Sequence, residues 1–130
     1  MNNDKLASGI FITFSGNCRN ALTFYQMCFG GTLYFETFDK ELQGYLQKPV
    51  INGSLVSDSI VIHGSDLVHN EGRKIGNYVS VFLPCKNPDE RSVLLKKLEA
   101  DHKGLIEGYN EDQKLVEVID AFDVRWILGV

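Results

Sequence analysis

Clustered basic residues, long apolar runs and paired cysteines are all scarce in this 130-residue chain, and each shortage narrows the field. No stretch approaches the roughly 20 apolar residues of a membrane-spanning helix, so no membrane partner is expected. The opening MNNDKLASG lacks an apolar signal segment, so export is not expected and a cytoplasmic location is. Thirteen Lys and Arg against seventeen Asp and Glu leave a formal charge of -4. Lys96 and Lys97 form the one adjacent basic pair near an expected helix face, too little for phosphate neutralisation, and no nucleic-acid partner is expected. No glycine-rich strand-to-helix phosphate loop is present either. The three cysteines, Cys18, Cys28 and Cys85, are an odd number without zinc-type spacing. Cys18 and Cys28 would lie roughly 15 Å apart along one helix, too far for a disulfide. They are expected to be reduced, packed thiols, and no histidine lies close enough in sequence to favour a catalytic one.

What is present begins with Gly9 to Gly31, GIFITFSGNCRNALTFYQMCFGG. Ile10, Ile12 and Phe14 alternate with Phe11, Thr13 and Ser15, the pattern of a half-buried strand. Asn17 stands where an N-cap belongs, and Ala21, Leu22, Tyr25, Cys28 and Phe29 keep the spacing of one buried helical face. Gly30 and Gly31 supply a left-handed exit. Thr32 to Phe38 reads as the next strand, and Asp39 to Pro49 as a loop or lid. Val50 to Ser57 and Ser59 to Gly64 read as two strands of a tight hairpin turning at Asp58. The polar, glycine-punctuated Ser65 to Gly76 reads as a linker.

The programme then repeats. Asn77 to Pro84 alternates as a strand. Asn87-Pro88-Asp89-Glu90 is a helix start with an Asn cap, Pro in the first turn and a capping-box Glu. Val93, Leu94, Leu95 and Leu98 form its stripe, and the helix is expected to run to Gly104. Strands follow at Gly104 to Tyr109, Gln113 to Ile119 and Val124 to Leu128. The order is therefore strand-helix-strand-strand-strand, twice, a repeat of elements rather than of letters. We expect an α+β fold: one domain spanning 1–130, built of two βαβββ halves, about 9–64 and 77–129, joined by 65–76. The two halves should form a curved mixed sheet with a cleft, and a ligand would sit there.

This order of elements resembles the vicinal oxygen chelate superfamily, the glyoxalase, bleomycin-resistance and extradiol dioxygenase group. Phe14 to Tyr25 (FSGNCRNALTFY) followed by Phe29-Gly30-Gly31 looks like the opening motif of its PhnB-like branch, also labelled 3-demethylubiquinone methyltransferase-like. Ser57 to Asp66, with its His-Gly-Ser-Asp ending, is similar to that branch's fourth strand. Val118 to Leu128 (VIDAFDVRWIL) resembles its closing Asp-x-Phe-Gly-x-x-Trp pattern, with Asp123 in place of the usual glycine. The resemblance implies the glyoxalase/bleomycin-resistance fold and a homodimer. For metal-dependent members it implies His, Gln or Glu ligands from the first, fourth, fifth and eighth strands. Those strands offer Thr13 and Ser15, His63, Ser80 and Tyr78, and Ile127 here, so His63 is the one metal-competent side chain. A divalent ion wants at least three protein ligands, and no metal or other cofactor is expected.

Ligand-binding candidates are His63, Asn52, Ser80, Thr13, Tyr78 and Trp126. His63 alternates with Val61 and Ser65; the plainer reading is a partly exposed, hydrogen-bonded histidine, the sharper one a ligand donor or acid-base group. Asn52 and Ser54 share one polar strand face. Trp126 suits a core role better than ligand stacking, and Asp120 suits a turn-stabilising pair with Arg125. His69 and His102 read as surface residues. The function these residues imply is a metal-free small-molecule binder or enzyme of the PhnB-like type, with the reaction open. The alternatives are a metal-dependent lyase, isomerase or dioxygenase, and a protein that sequesters a drug or metabolite. A label naming methyl transfer finds no nucleotide site to support it.

Overall fold

The computed structural model describes residues 8–37, 49–66, 75–76, 78–99 and 112–130. In chain order its elements are β1 (Ile10–Phe14), α1 (Cys18–Phe29), β2 (Thr32–Thr37), β3 (Val50–Val56) and β4 (Val61–Asp66), then β5 (Val81–Pro84), α2 (Pro88–Leu98), β6 (Leu115–Ile119) and β7 (Arg125–Gly129). They fall into two compact units, Met1–Arg73 and Lys74–Val130. Each unit is a mixed sheet carrying one helix, and the fold is α+β. The expected lid at 39–49, all but its last residue, and the expected strand at 104–109 lie outside the described residues, as do His69 and His102. Among the described residues no helix is long and apolar enough to cross a membrane.

The first unit's sheet has the order β1-β4-β3-β2, with β1 parallel to β4 and the other pairs antiparallel. The β3–β4 hairpin closes as its sequence predicts. Ser57 N–H donates to the Ile60 carbonyl, and the Ser57 hydroxyl accepts from Ile60 N–H at 3.0 Å. Strand β4 begins later than expected and runs on to Asp66, two residues into the expected linker. The reason is long-range: parallel pairing of Thr13 with Ser65 and Phe14 with Asp66 extends the ladder past Gly64.

Helix α1 lies on one face of this sheet, burying Cys18, Ala21, Leu22, Phe24, Tyr25 and Cys28. It meets a bare strip where Gly53 and Gly64 pair across β3 and β4. A Cβ on Gly53 would come within 2.9 Å of Leu22, and one on Gly64 within 3.0 Å of the Phe14 ring and 3.1 Å of the Cys18 sulfur. Two side chains are missing where the helix comes closest, so Leu22 and Cys18 pack directly over the strands. The exit is as expected, Gly30 and Gly31 both taking positive φ, 73° and 103°.

Asn17 does not cap α1. Its side chain makes no capping bond, and its buried Oδ1 has no hydrogen-bond partner. Asp66 does that work from the end of β4. One carboxylate oxygen accepts the N–H groups of Gly16 and Cys18, both at 2.9 Å, and the other accepts Val50 N–H at 2.9 Å. A full negative charge at the positive end of a helix is worth more than a neutral amide there, and it also pins the start of β3.

The second unit's sheet has the order β5-β7-β6. Helix α2 starts as expected: Asn87 Oδ1 accepts Glu90 N–H at 2.7 Å, and Glu90 reaches back to Lys86 N–H at 2.9 Å. Its buried face differs from the expected stripe, because Arg91, Leu95 and Leu98 are buried while Val93 is exposed and Leu94 half-buried. Arg91 donates to the Gln113 carbonyl at 2.7 Å, which lets a guanidinium occupy an inward position. Strand β5 covers only the last four residues of the expected Asn77–Pro84, matching the length over which β7 pairs with it.

Candidate functional site

Because α1 covers one face of the four-stranded sheet, alternation turns every second residue of each strand to the other face. The register lines them up in rows. Phe11 pairs with His63, His63 with Ser54, and Ser54 with Tyr34, a row crossing all four strands. On one side of it Val61, Val56 and Thr32 form a second row. On the other, Thr13 pairs with Ser65 and Asn52 with Glu36. Adjacent rows lie roughly 7 Å apart and adjacent strands roughly 5 Å apart.

The middle row has exposed aromatic ends and a polar centre. Phe11 is 61% exposed and Tyr34 59%, while His63 and Ser54 between them are half-buried. The His63 imidazole is partly exposed and makes no hydrogen bond to a described side chain, which leaves its nitrogens to accept from or donate to a ligand. A bulge between Glu36 and Thr37 re-aims the end of β2 beside Asn52.

The structure thus brings His63, Asn52 and Thr13 to one face of one sheet. The other three candidates belong to the second unit. Tyr78 is 92% exposed and Ser80 half-buried, both ahead of β5 rather than in it. Trp126 is fully buried, and its indole N–H donates to Asp120 at 2.8 Å. The expected Asp120–Arg125 pair is replaced by two others. Asp120 accepts the N–H groups of Phe122 and Val124 as well as the indole, and Arg125 pairs with Glu117 at 2.9 Å. Phe11, Tyr34 and Glu36 were readable only as strand residues, because no local pattern says which strand will lie opposite which.

The thiols are placed for packing. Burial pushes the Cys18 thiol up to about 12, the Asp66 charge adding to it and Arg19 opposing. Burial, then Glu90, likewise raises Cys85, against Arg91. Below about pH 9 Cys18 is protonated whether the chain is folded or not. As pH rises from 9 towards 12 the unfolded chain gives up a proton that the folded chain keeps, so folding loses stability across that window. We expect Cys18 to resist iodoacetamide in the native protein at neutral pH, and Cys18→Ala to flatten the alkaline fall of a pH series of urea unfolding curves. Fast native alkylation of Cys18 would contradict this placement.

Among the described residues the donor set around His63 does not fit a resident divalent cation. His63 has Phe11 and Ser54 as its cross-strand neighbours, neither a metal ligand of the expected kind. Among the described residues no group of three His, Cys, Asp or Glu side chains is placed to hold an ion.

No protein-family model and no curated protein matches the chain. Solved structures do. Protein PA1353 from Pseudomonas aeruginosa superposes with a TM-score of 0.78 at 22% identity, covering 96% of this chain and 97% of that one. The PhnB protein from Bacillus cereus gives 0.75 at 19%, covering 95% and 98%. The fosfomycin resistance protein FosX from Listeria monocytogenes, in a complex with Mn(II) and sulfate, gives 0.64 at 11%, covering 100% and 93%. At such identities the likeness is one of fold: this chain has the glyoxalase/bleomycin-resistance fold.

Proposed function

We propose that this chain is a metal-free small-molecule-binding protein whose ligand lies on the open face of the four-stranded sheet. The observation that carries the reading is His63. A half-buried imidazole that makes no hydrogen bond to a described side chain, flanked by an exposed phenyl ring and a serine, leaves a donor and an acceptor open to a ligand. Asn52, Ser54, Ser65 and Thr13 add polar groups on the same face, and Phe11 and Tyr34 add apolar walls. Binding rather than turnover is favoured because the described strand partners of His63, Phe11 and Ser54, include no carboxylate or thiol to orient the imidazole as an acid-base group. A homodimer belongs to the same reading, since β1 and β2 stand at the ends of the described four-stranded sheet, and so does the cytoplasmic location expected above.

A fragment library screened by protein-observed NMR tests it. Hits should perturb the amides of β1 to β4, and His63→Ala should weaken them by about three- to tenfold, the value of one net hydrogen bond. Hits that ignore both His63→Ala and Ser54→Ala would remove the basis of the proposal. Sedimentation velocity checks the dimer.

A further inference from the structure

The three rows of the open face differ in character along the strand direction. The Val61–Val56–Thr32 row is mainly aliphatic, the Phe11–His63–Ser54–Tyr34 row is aromatic with a polar centre, and the Thr13–Ser65 and Asn52–Glu36 pairs are wholly polar. Across roughly 13 Å the face therefore runs from apolar to polar. Glu36 is the one formal charge among the described open-face positions of β1 to β4, and it is exposed at the polar end. The single cation of α1, Arg19, lies on the opposite face, 4.5 Å from the centre of the Phe35 ring. No described lysine or arginine on these strands stands ready to meet an anion.

We propose that this face selects an amphipathic small molecule with a cationic head and an aromatic or aliphatic body, the head beside Glu36 and Asn52 and the body over Phe11, Tyr34 and Val56. The inference rests on the proposed binding role of the open face and adds its polarity. It separates this chain from a site built for a phosphonate or sulfate, which needs positive side chains or clustered backbone N–H donors. Glu36 is exposed, so its contribution is a modest, salt-sensitive preference rather than an anchor. The apolar body supplies the larger part of the affinity.

Three matched probes test the polarity on the full chain: phenylbutylammonium, phenylbutanol and phenylbutyrate, titrated by NMR at low salt. The ammonium should bind about three- to tenfold tighter than the carboxylate, with the alcohol between them. Glu36→Gln should abolish that preference, drawing the affinities for the ammonium, the alcohol and the carboxylate together, and the double replacement of Phe11 and Tyr34 by alanine should weaken all three probes alike. Equal or tighter binding of the carboxylate, or a preference that survives Glu36→Gln, would overturn the inference while the binding role stands. If no probe shifts the open-face amides up to its solubility limit, both fail together. If the double replacement turns a dimer into a monomer in sedimentation and no probe binds, a second copy of the chain is the occupant and the inference is likewise overturned.

Discussion

Replacing Asp66 by alanine should destabilise the protein by about 3–5 kcal/mol, the largest single effect we expect outside the central hydrophobic residues. Three backbone N–H groups, those of Gly16, Cys18 and Val50, converge on its two carboxylate oxygens, and the side chain is only 7% exposed. Each N–H orphaned in a buried place costs about 1–3 kcal/mol, and partial access of water at Gly16 keeps the sum below the maximum. Against a total stability of about 5–15 kcal/mol for a domain, that is a large fraction. Asp66→Asn should cost roughly half as much, because the amide keeps one acceptor oxygen but turns an NH₂ towards a donor. Urea unfolding followed by far-ultraviolet circular dichroism measures both. A loss under about 1 kcal/mol for Asp66→Ala would mean that the helix start is held by something other than this carboxylate.

The second large effect is expected at the Trp126–Asp120 pair. Trp126→Ala removes a fully buried indole from the second unit and should cost about 3–5 kcal/mol. Trp126→Phe keeps most of the packing but withdraws the donor to Asp120 Oδ2, and should cost about 1–3 kcal/mol. Asp120→Ala orphans the Phe122 and Val124 N–H groups together with the indole, so its cost should overlap that of Trp126→Phe. In a double-mutant cycle the two should be non-additive by about 1 kcal/mol, and strict additivity would show that the bond contributes nothing net. The chain has one tryptophan, so its native emission should be blue-shifted and should move to the red on unfolding. In the same turn Asp123 sits at φ 69°, a left-handed conformation that a glycine would take without strain.

The two helix starts show what was legible in the sequence and what was not. Asn87 and Glu90 cap α2 as read, because that exchange is local and the partners are three and four residues apart. Asn17 carries the same letter in the same kind of place, yet α1 is capped by a carboxylate 48 residues beyond Cys18. Nothing near Asn17 announces that. The strand limits divide in the same way. Strand β3 ends one residue from where its alternation stops, whereas β4 is lengthened and β5 shortened by the parallel partners that the chain brings to them.

The candidate site follows this division. His63 and Asn52 were readable as polar positions on alternating strands, and Thr13 as a polar residue of the first strand. Phe11 and Tyr34 were readable only as aromatic strand residues. By itself the sequence determined the kind and order of the described elements, the hairpin at Asp58, the left-handed exit at Gly30 and Gly31 and the cap of α2, since each depends on backbone preferences and contacts within a few residues. The tertiary structure alone decided that Phe11, His63, Ser54 and Tyr34 share a row, that Gly53 and Gly64 meet beneath α1, and that Asp66 anchors the start of α1. Those outcomes depend on strand register and on partners far away in the chain. A one-residue slip in that register would turn the same side chains to the opposite face.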